Sequence, residues 1–431
     1  MKYHPINNTL FIKNRAKFTA QMKPKSIAIF NSNDIFTTGA DSTLPFEQHS
    51  DILYLSGADQ EESILLLFPD AINKNHREIL FLTETNEHIA IWYGAKYSKE
   101  EATNVSGIKT IYWLSEFKKI FFDLMTEAET IYFNTNEHYR QAAELESRED
   151  RFIKKCKADF PAHKWEKSNQ ILQEIRGTKE AEEIEIIQTA CDITEKGFRR
   201  ILPFVKPGIM EYEIEAEFMH EFLRNRSKGF AYTPIIGSGY SACVLHYIDN
   251  NKECKDGDML LLDVGAEYAN YSSDMTRTIP VNGRFNDRQK AVYNAVLRVK
   301  NEATKMLAPG ILWAEYQKEV GKFMSSELLG LGLIDKTDVK NENPDWPAYK
   351  KYFMHGTSHH MGLDTHDYGA LKTPMKAGMV FTVEPGIYIP EEKMGIRIED
   401  DVVINQTGLP FNLMRNIPIE IEEIEDLMNS K

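Results

Sequence analysis

The sequence predicts a two-domain protein of the α/β (α+β) class, with a mixed-sheet domain over residues 1–175 followed by a larger domain over residues 176–431. Its 431 residues exceed the usual size of a single core. Strand-like and helix-like segments alternate in the first domain. The second domain repeats one plan after about a hundred residues, and such self-similarity indicates two copies of one structural unit.

Short apolar runs in the first domain predict strands at 26–30, 64–68, 78–82, 89–93 and 130–133. Leu114, Phe117, Phe121 and Leu124 recur at helical spacing and predict one amphipathic helix. Strands that alternate with helices favour a mixed or parallel sheet. Trp92 falls within the predicted strand 89–93. No catalytic motif stands out in this domain.

The first half of the second domain begins with a predicted helix whose N-cap candidate is Thr178. A Pro207-Gly208 break ends that helix, and a second helix is expected from about Glu211 to Arg224. A Lys-x-Gly turn then leads into an apolar strand.

The same order returns in the second half. Asn286 is expected to cap a helix that stops at Pro309-Gly310, and another helix begins near Trp313. A second Lys-x-Gly turn and apolar strand follow. This half is longer by roughly twenty residues, and the polar stretch 335–351 is predicted to be an inserted surface loop.

Acidic residues end both apolar strands. Asp263 ends the first and Glu384 the second, while Asp274 lies in a further short run and Glu399 shares one face of a last strand with Arg397. Packing about a pseudo-twofold axis would bring the four carboxylates into one pocket. Two carboxylates about 4 Å apart repel by roughly 4 kcal/mol at an effective dielectric near 20.

A cation must therefore balance this cluster, and an arginine, a lysine or a metal could supply it. Arg277 could pair with the first two acids, but one arginine cannot balance four. Histidines favour a metal instead, because four of the chain's 12 histidines fall between His355 and His366. An oxygen-rich site with one imidazole suits manganese, cobalt or iron. Paired divalent cations lower the pKa of a bound water and make it a nucleophile at neutral pH. Such a site is typical of hydrolases.

Composition excludes several other classes of function. A net charge of −14 argues against nucleic acid and anionic membranes as partners. No apolar stretch approaches the roughly 20 residues that span a bilayer. The first residues lack the apolar core of a signal peptide, and four cysteines suggest reduced thiols. We therefore expect a cytoplasmic location.

The second domain resembles the pita-bread metallopeptidases, a group that includes methionine aminopeptidase, aminopeptidase P, prolidase and creatine-hydrolysing enzymes. The resemblance covers residues 178–410 and rests on five motifs in order: Leu-Asp-Val-Gly, Ser-Asp-Met-Thr-Arg-Thr, His-Gly-x-Ser-His-x-x-Gly-Leu-Asp-x-His-Asp, Val-Glu-Pro-Gly-Ile-Tyr and Gly-Ile-Arg-Ile-Glu-Asp. It implies a pseudo-twofold pita-bread fold.

The resemblance also implies a site for two divalent cations, for which Mn²⁺ is expected first and Co²⁺, Fe²⁺ or Zn²⁺ are alternatives. Its five metal ligands would be Asp263, Asp274, His359, Glu384 and Glu399, with Asp274 and Glu399 shared by both cations. His246, His355 and His366 would line the substrate cleft, and Arg397 would support the site. His360 departs from bacterial relatives, which often carry a large apolar or aromatic residue there.

The first domain resembles the amino-terminal domain of the aminopeptidase P family in Ala-Asp-Ser at 40–42 and in Phe-x-Gln-x-Ser-Asp-x-x-Tyr-Leu-x-Gly at 46–57. In that family this domain of a neighbouring subunit helps to close the active site, and Asp41 and Trp92 fall on the positions concerned. The resemblance thus implies a homodimer or homotetramer that acts on peptides with proline in the second position.

The expected reaction is hydrolysis of the bond before proline. Glu384 would move the proton of the attacking water, while His246 and His366 would hold the tetrahedral oxygen and the leaving nitrogen, in an order that stays open. Trp92 and His355 would contribute to a proline pocket. Prolidase is the nearest alternative. A non-catalytic binding module or a metal-free amidinohydrolase would be expected to lack several of the five ligands.

Overall fold

A computed structural model of the protein describes residues 2–135, 137–138 and 144–430. The chain divides into two compact units. The amino-terminal unit is Pro5–Arg176, and the carboxyl-terminal unit combines Met1–His4 with Gly177–Lys431. Over the described ranges, no helix combines the length and the apolar character needed to cross a bilayer.

The amino-terminal unit is built on one mixed sheet. Its strands are β1 (Ser26–Asn31), β2 (Ile64–Leu67), β3 (Glu78–Leu82), β4 (Thr110–Trp113), β5 (Thr130–Phe133) and β6 (Lys164–Lys167), in the order β4-β3-β2-β1-β5-β6. β1, β2 and β3 pair antiparallel, whereas β4, β5 and β6 add parallel to their neighbours. The mixed sheet that the sequence predicted is therefore confirmed.

Seven helices lie within or at the end of this unit's described residues: α1 (Thr9–Thr19), α2 (Ser50–Ser56), α3 (Glu87–Tyr93), α4 (Lys99–Ser106), α5 (Phe117–Met125), α6 (Arg148–Asp159) and α7 (Asn169–Gly177). The amphipathic helix predicted after Trp113 is α5, which buries Phe121 and Leu124 in the core. β4 and β6, which were not predicted, complete the edges of the sheet.

The strand predicted at 89–93 is wrong, because this segment forms α3. Asn86 caps the helix by accepting a hydrogen bond from the main-chain nitrogen of Ile89, and Glu87 lies in its first turn. Gly94 ends it with a φ of 76°. These capping residues decide between helix and strand for an apolar run too short to show a period.

The carboxyl-terminal unit contains the helices α8 (Ala181–Ile201), α9 (Glu211–Arg224), α10 (Asp287–Met306), α11 (Trp313–Gly330), α12 (Lys336–Lys340) and α13 (Ile421–Asn429). Its strands are β7 (Ile235–Ser238), β8 (Met259–Val264), β9 (Glu267–Tyr268), β10 (Tyr271–Ser272), β11 (Met275–Pro280), β12 (Val380–Val383), β13 (Gly386–Ile389), β14 (Met394–Arg397), β15 (Asp400–Val403) and β16 (Phe411–Asn412). They form two three-stranded sheets, β11-β8-β7 and β12-β15-β16, and two hairpins.

The internal repeat extends to the backbone conformation of its glycines. Gly208 and Gly310, which follow the matched helices α8 and α10, both have a φ of 93°. Gly257 and Gly378, which precede the matched strands β8 and β12, both have a φ of 84°. Since side chains rarely adopt such values, glycine fixes the same two turns in each half.

Three local predictions for this unit need correction. Helix α8 begins at Ala181 with Glu180 at its N-cap, so Thr178 is not the cap. The stretch 335–351 is not wholly a loop, because Asp335 caps the short helix α12. Glu399 does not lie within a strand. It lies between β14 and β15, where its main-chain nitrogen donates to the oxygen of Thr276.

Candidate metal centre

Four acids and one histidine converge in the carboxyl-terminal unit. Asp263 is near the end of β8, Asp274 directly precedes β11, and Glu384 directly follows β12. An isolated bridge between Thr276 and Glu399 joins β11 of the first half to the β14–β15 connection of the second. The two halves of the repeat therefore place their acids side by side.

Asp274, His359 and Glu399 form the centre of the cluster, since each offers a ligand atom and these atoms lie within 4.8 Å of one another. Nε2 of His359 is 3.4 Å from Oδ2 of Asp274 and 3.7 Å from Oε1 of Glu384. Nδ1 of His359 lies 2.9 Å from the main-chain oxygen of His360. That contact places the proton on Nδ1 and leaves Nε2 free to act as a ligand.

Arg397 holds the opposite side of the cluster. Its guanidinium contacts Asp263, donates to the hydroxyl of Tyr388 at 2.7 Å and donates to the hydroxyl of Thr276 at 3.2 Å. Thr276 donates in turn to Glu399 at 2.6 Å. One buried arginine therefore fixes Asp263 directly and Glu399 through a hydroxyl.

Arg277, which the sequence offered as an alternative counter-ion, binds elsewhere. Its guanidinium donates to Asp400 at 2.6 Å and to the main-chain oxygens of Glu399 and Pro418 at 2.6 and 2.9 Å. Lys300 also contacts Asp400. Arg277 therefore supports the backbone of Glu399 and is not the partner of Asp263 or Asp274.

Tyr232 was not predicted and lies at the centre of the cluster. Its hydroxyl is 2.6 Å from Oδ1 of Asp263 and 2.6 Å from Oδ1 of Asp274. One hydroxyl proton serves one acceptor at a time and the hydroxyl is uncharged, so Tyr232 does not balance the charge of the two carboxylates. Asp401 was also missed, and its Oδ2 accepts a hydrogen bond from the main-chain nitrogen of Asp274 at 2.9 Å.

Burial and mutual repulsion dominate the electrostatics of the site. Burial raises the pKa of Glu384 to about 7, although the charges of His359 and Arg397 oppose the rise. Burial, with the charges of Asp274 and Glu384, raises the pKa of Glu399 well above its ordinary value. Burial and the charge of Asp274 raise the pKa of Asp263 despite the charge of Arg397. These acids are thus short of positive charge.

The donor set fits divalent cations. Four carboxylates and one imidazole supply hard oxygen ligands and a single nitrogen, and no thiol of the described residues takes part in the cluster. Arg397 supplies one buried positive charge to the cluster, whereas every pair of ionised carboxylates repels. We conclude that the residues present suit the cations that the acid cluster requires.

His355 is oriented toward the same site. Its Nδ1 lies 2.7 Å from the main-chain oxygen of Gly356 and 3.6 Å from Glu384, while its Nε2 lies 2.8 Å from the hydroxyl of Tyr388. Burial and the charge of Arg397 lower the pKa of His355 to about 3. The imidazole is therefore neutral, with its proton on Nδ1.

The two remaining histidines of the predicted site are His366, whose ring packs against that of His359, and His246. The rings of His366 and His359 have centroids 4.3 Å apart, and the charge of His246 is among the influences that lower the pKa of His355. Both His246 and His366 are exposed. Asp41 and Trp92 belong to the amino-terminal unit, where both are exposed, Trp92 by 74%.

These features define the site as the carboxylate-rich centre of a metal-dependent hydrolase, and comparison with known proteins agrees. Residues 185–406 match the model of metallopeptidase family M24, and residues 11–132 match that of the aminopeptidase P amino-terminal domain. The chain is 34% identical over 439 aligned positions to the Xaa-Pro aminopeptidase of Escherichia coli K12, covering 98% of both proteins.

Other relatives are similar over most of their length. Human Xaa-Pro aminopeptidase 3 is 32% identical, over 92% of this chain and 79% of that protein. A putative aminopeptidase P from Bacillus anthracis has a TM-score of 0.90 at 33% identity, with 98% of both chains covered. Zinc-substituted E. coli aminopeptidase P in complex with product has a TM-score of 0.88 at 32% identity, with 99% of both covered.

The chain belongs to the Xaa-Pro aminopeptidases of metallopeptidase family M24. It is a peptide hydrolase, and its carboxyl-terminal unit has the pita-bread fold that the family resemblance implied.

Proposed function

We propose that this chain removes the first residue from peptides with proline in the second position, using two divalent cations held by Asp263, Asp274, His359, Glu384 and Glu399. The observation that carries the proposal is the convergence of Asp274, His359 and Glu399, whose ligand atoms lie within 4.8 Å of one another. Manganese is the cation proposed first, because the donor set is oxygen-rich. When bound, such cations polarise the peptide carbonyl and lower the pKa of water.

Glu384 is proposed to take the proton of the attacking water and pass it on. Its side chain is 20% exposed, whereas Glu399 as a whole is only 2% exposed, so water can reach Glu384 more readily. Oε1 of Glu384 lies 3.7 Å from Nε2 of His359, so the carboxylate is beside another proposed metal ligand. A carboxylate in this position can shuttle one proton within hydrogen-bonding reach.

The exposed histidines are proposed to bind the reacting atoms. His246 and His366 are proposed to lie at the rim of the cluster, where one would donate a hydrogen bond to the tetrahedral oxygen and the other to the leaving proline nitrogen. His355 is held by Tyr388, which accepts from Arg397. A neutral imidazole fixed in this way can line a pocket without adding charge.

Selection of proline is proposed to involve Trp92 together with His355. Trp92 is 74% exposed on α3, and a large exposed aromatic side chain is suited to contact an apolar ring. Replacement of Trp92 by alanine should raise KM for proline peptides. Unchanged kinetics would remove Trp92 from the pocket.

We also propose a homodimer or homotetramer, in which Asp41 and Trp92 of a neighbouring subunit contribute to closing the site. Light scattering coupled to size exclusion tests this, and a monomer that is fully active would refute it. A cytoplasmic location is proposed on the free thiols of all four cysteines.

The decisive experiment compares a tripeptide with proline second and an Xaa-Pro dipeptide, using metal-stripped protein with and without manganese. Release of the first residue from the tripeptide only with manganese is the expected result. Asp274→Asn should not be rescued by manganese, whereas Asp287→Asn, which changes an exposed acid at the start of α10, should behave as the wild type. Absence of tripeptide cleavage with any divalent cation would overturn the proposal.

A further inference from the structure

His246 lies in a segment without helix or strand, here called the histidine segment and defined as residues 244–252. Two neighbours of His246 are exposed apolar residues, Val244 by 44% and Ile248 by 55%, so they do not anchor the segment in a core. A functional side chain must be held to within about 0.5 Å. The position of His246 therefore depends on other contacts of this segment.

Those contacts converge on the carboxylate of Glu211. Oε1 accepts hydrogen bonds from the main-chain nitrogen and the hydroxyl of Ser238, both at 2.8 Å. Oε2 accepts from the hydroxyl of Tyr247 at 2.7 Å and from the main-chain nitrogen of Lys252 at 3.0 Å. All four acceptor positions of the carboxylate are thus used. The donors lie on β7, next to His246, and at the end of the histidine segment.

The position of Glu211 in the fold makes it a rigid anchor. It is the first residue of α9, is fully buried, and its own main-chain nitrogen donates to the oxygen of Lys252 at 2.9 Å. A carboxylate at a helix N-terminus is stabilised by the helix dipole. The histidine segment is therefore tied to the helix by side chain and by backbone.

Tyr247 links Glu211 to residues near the metal centre. Its ring is 7% exposed and packs in a buried cluster with Leu261 of β8 and Tyr388 of β13. Tyr388 is the residue whose hydroxyl contacts both His355 and Arg397. The hydrogen bond from the hydroxyl of Tyr247 to Glu211 thus holds the residue next to His246 in the buried cluster that contains Tyr388.

We infer that Glu211 is a positioning residue for the peptidase reaction, acting through Tyr247 to place the imidazole of His246. The inference rests on the proposed function, because it assigns Glu211 a role in the reaction through His246. The contacts of the Glu211 carboxylate described above are with Ser238, Tyr247 and Lys252, and none is with an acid of the cluster. A shift of about 1 Å in a catalytic group can reduce the rate about 100-fold.

The test is a double-mutant cycle on the manganese-loaded full-length enzyme, with Glu211→Gln, Tyr247→Phe and His246→Ala. Glu211→Gln should lower kcat about 10- to 100-fold and Tyr247→Phe about 3- to 10-fold, with unchanged manganese content. In the His246→Ala background, each should change kcat less than about 2-fold, because the group they position is gone. Glu213→Gln is the matched control, because it alters an exposed acid in the same helical turn and the glutamine oxygen can still accept from the main-chain nitrogen of Met210.

A second measurement does not depend on activity. Amide hydrogen exchange of residues 244–252 in the metal-free protein should become faster in Tyr247→Phe and Glu211→Gln, but not in Glu213→Gln. Should Glu211→Gln fail to fold, Tyr247→Phe still decides, since it keeps the ring and removes only the hydroxyl, with its short bond to Glu211 and its longer contacts of 3.4 and 3.5 Å with Asn251. Equal losses of kcat with and without His246, or unchanged kcat and exchange in Tyr247→Phe, would overturn the inference. A wild-type enzyme without peptidase activity but with the predicted exchange would instead refute the proposed function.

Discussion

Replacing Glu149 by glutamine should stabilise the amino-terminal unit at pH 8 and leave it almost unchanged at pH 5. Burial raises the pKa of Glu149 to about 7 from an ordinary value of 4.5, although Asn31 donates to its carboxylate from side chain and main chain at 2.7 and 3.3 Å. The folded state therefore holds a proton that the unfolded state releases. Stability falls as pH rises from about 4.5 to about 7.

The size of the effect follows from the shift. A change from 4.5 to about 7, at 1.36 kcal/mol per unit, makes the wild type less stable than Glu149→Gln by up to about 3 kcal/mol at pH 8. At pH 5 the difference should be under about 1 kcal/mol. Since Glu149 is 8% exposed, solvent screens little of this energy.

Urea unfolding at pH 5, 6, 7 and 8, followed by hydrogen exchange in β1 and α6, measures this difference within the amino-terminal unit. The matched control is Glu146→Gln, which alters an exposed acid two positions before α6 and should show no such trend. Wild-type and Glu149→Gln stabilities that run parallel across this range would refute the reasoning.

Two further predictions concern the carboxyl-terminal unit. Lys179→Met removes the cation from a buried pair in which Nζ lies 2.7 Å from Asp367, so urea unfolding should show a loss of about 3 to 5 kcal/mol; less than 1 kcal/mol would contradict this. Gly265→Ala places a Cβ 1.8 Å from the main-chain oxygen of Ser273 and should lower the midpoint of thermal unfolding sharply. Gly330→Ala, at the end of α11 with nothing within 4 Å, should instead raise it, and equal effects of the two alanines would count against the packing argument.

The sequence predicted several helices of the carboxyl-terminal unit well because capping residues and glycine-containing turns mark their ends. Asn286 caps α10 by accepting from the main-chain nitrogen of Gln289, as its side chain and position predicted. Thr178 has a similar chemistry but is not the cap, since the N-cap lies two residues later at Glu180. Alternative caps a few residues apart cannot be ranked without knowing where the chain enters the helix.

The mis-assigned segment 89–93 shows the opposite situation. Its apolar residues gave no period, and Ile91 and Trp92 are 78% and 74% exposed, so burial did not shape the pattern. Asn86 and Gly94 could have indicated a helix from the sequence. Exposed apolar residues on a short helix are therefore easily mistaken for a strand.

Asp263 and Glu384 were predictable because they lie at the ends of matched strands of a repeat, whereas the hydrogen-bond partners of the site's acids were not. Thr276 and Tyr388 stand inside the quoted motifs, but nothing in the sequence states which way their hydroxyls point. Tyr232 precedes β7 in a segment without periodicity, and its contact with Asp263 and Asp274 arises from tertiary packing alone. Residues that orient others are specified by the fold, and the sequence shows only their chemistry.

The repeat also explains how the acids keep their positions. Arg277 on β11 of the first half holds the main-chain oxygen of Glu399 and the side chain of Asp400 in the second half. Arg397 on β14 of the second half holds Asp263 in the first. Each half thus supplies a buried arginine to an acid-bearing strand end of the other. Because a buried charge without a partner is strongly unfavourable, this exchange ties the two halves together at the place where the carboxylates meet.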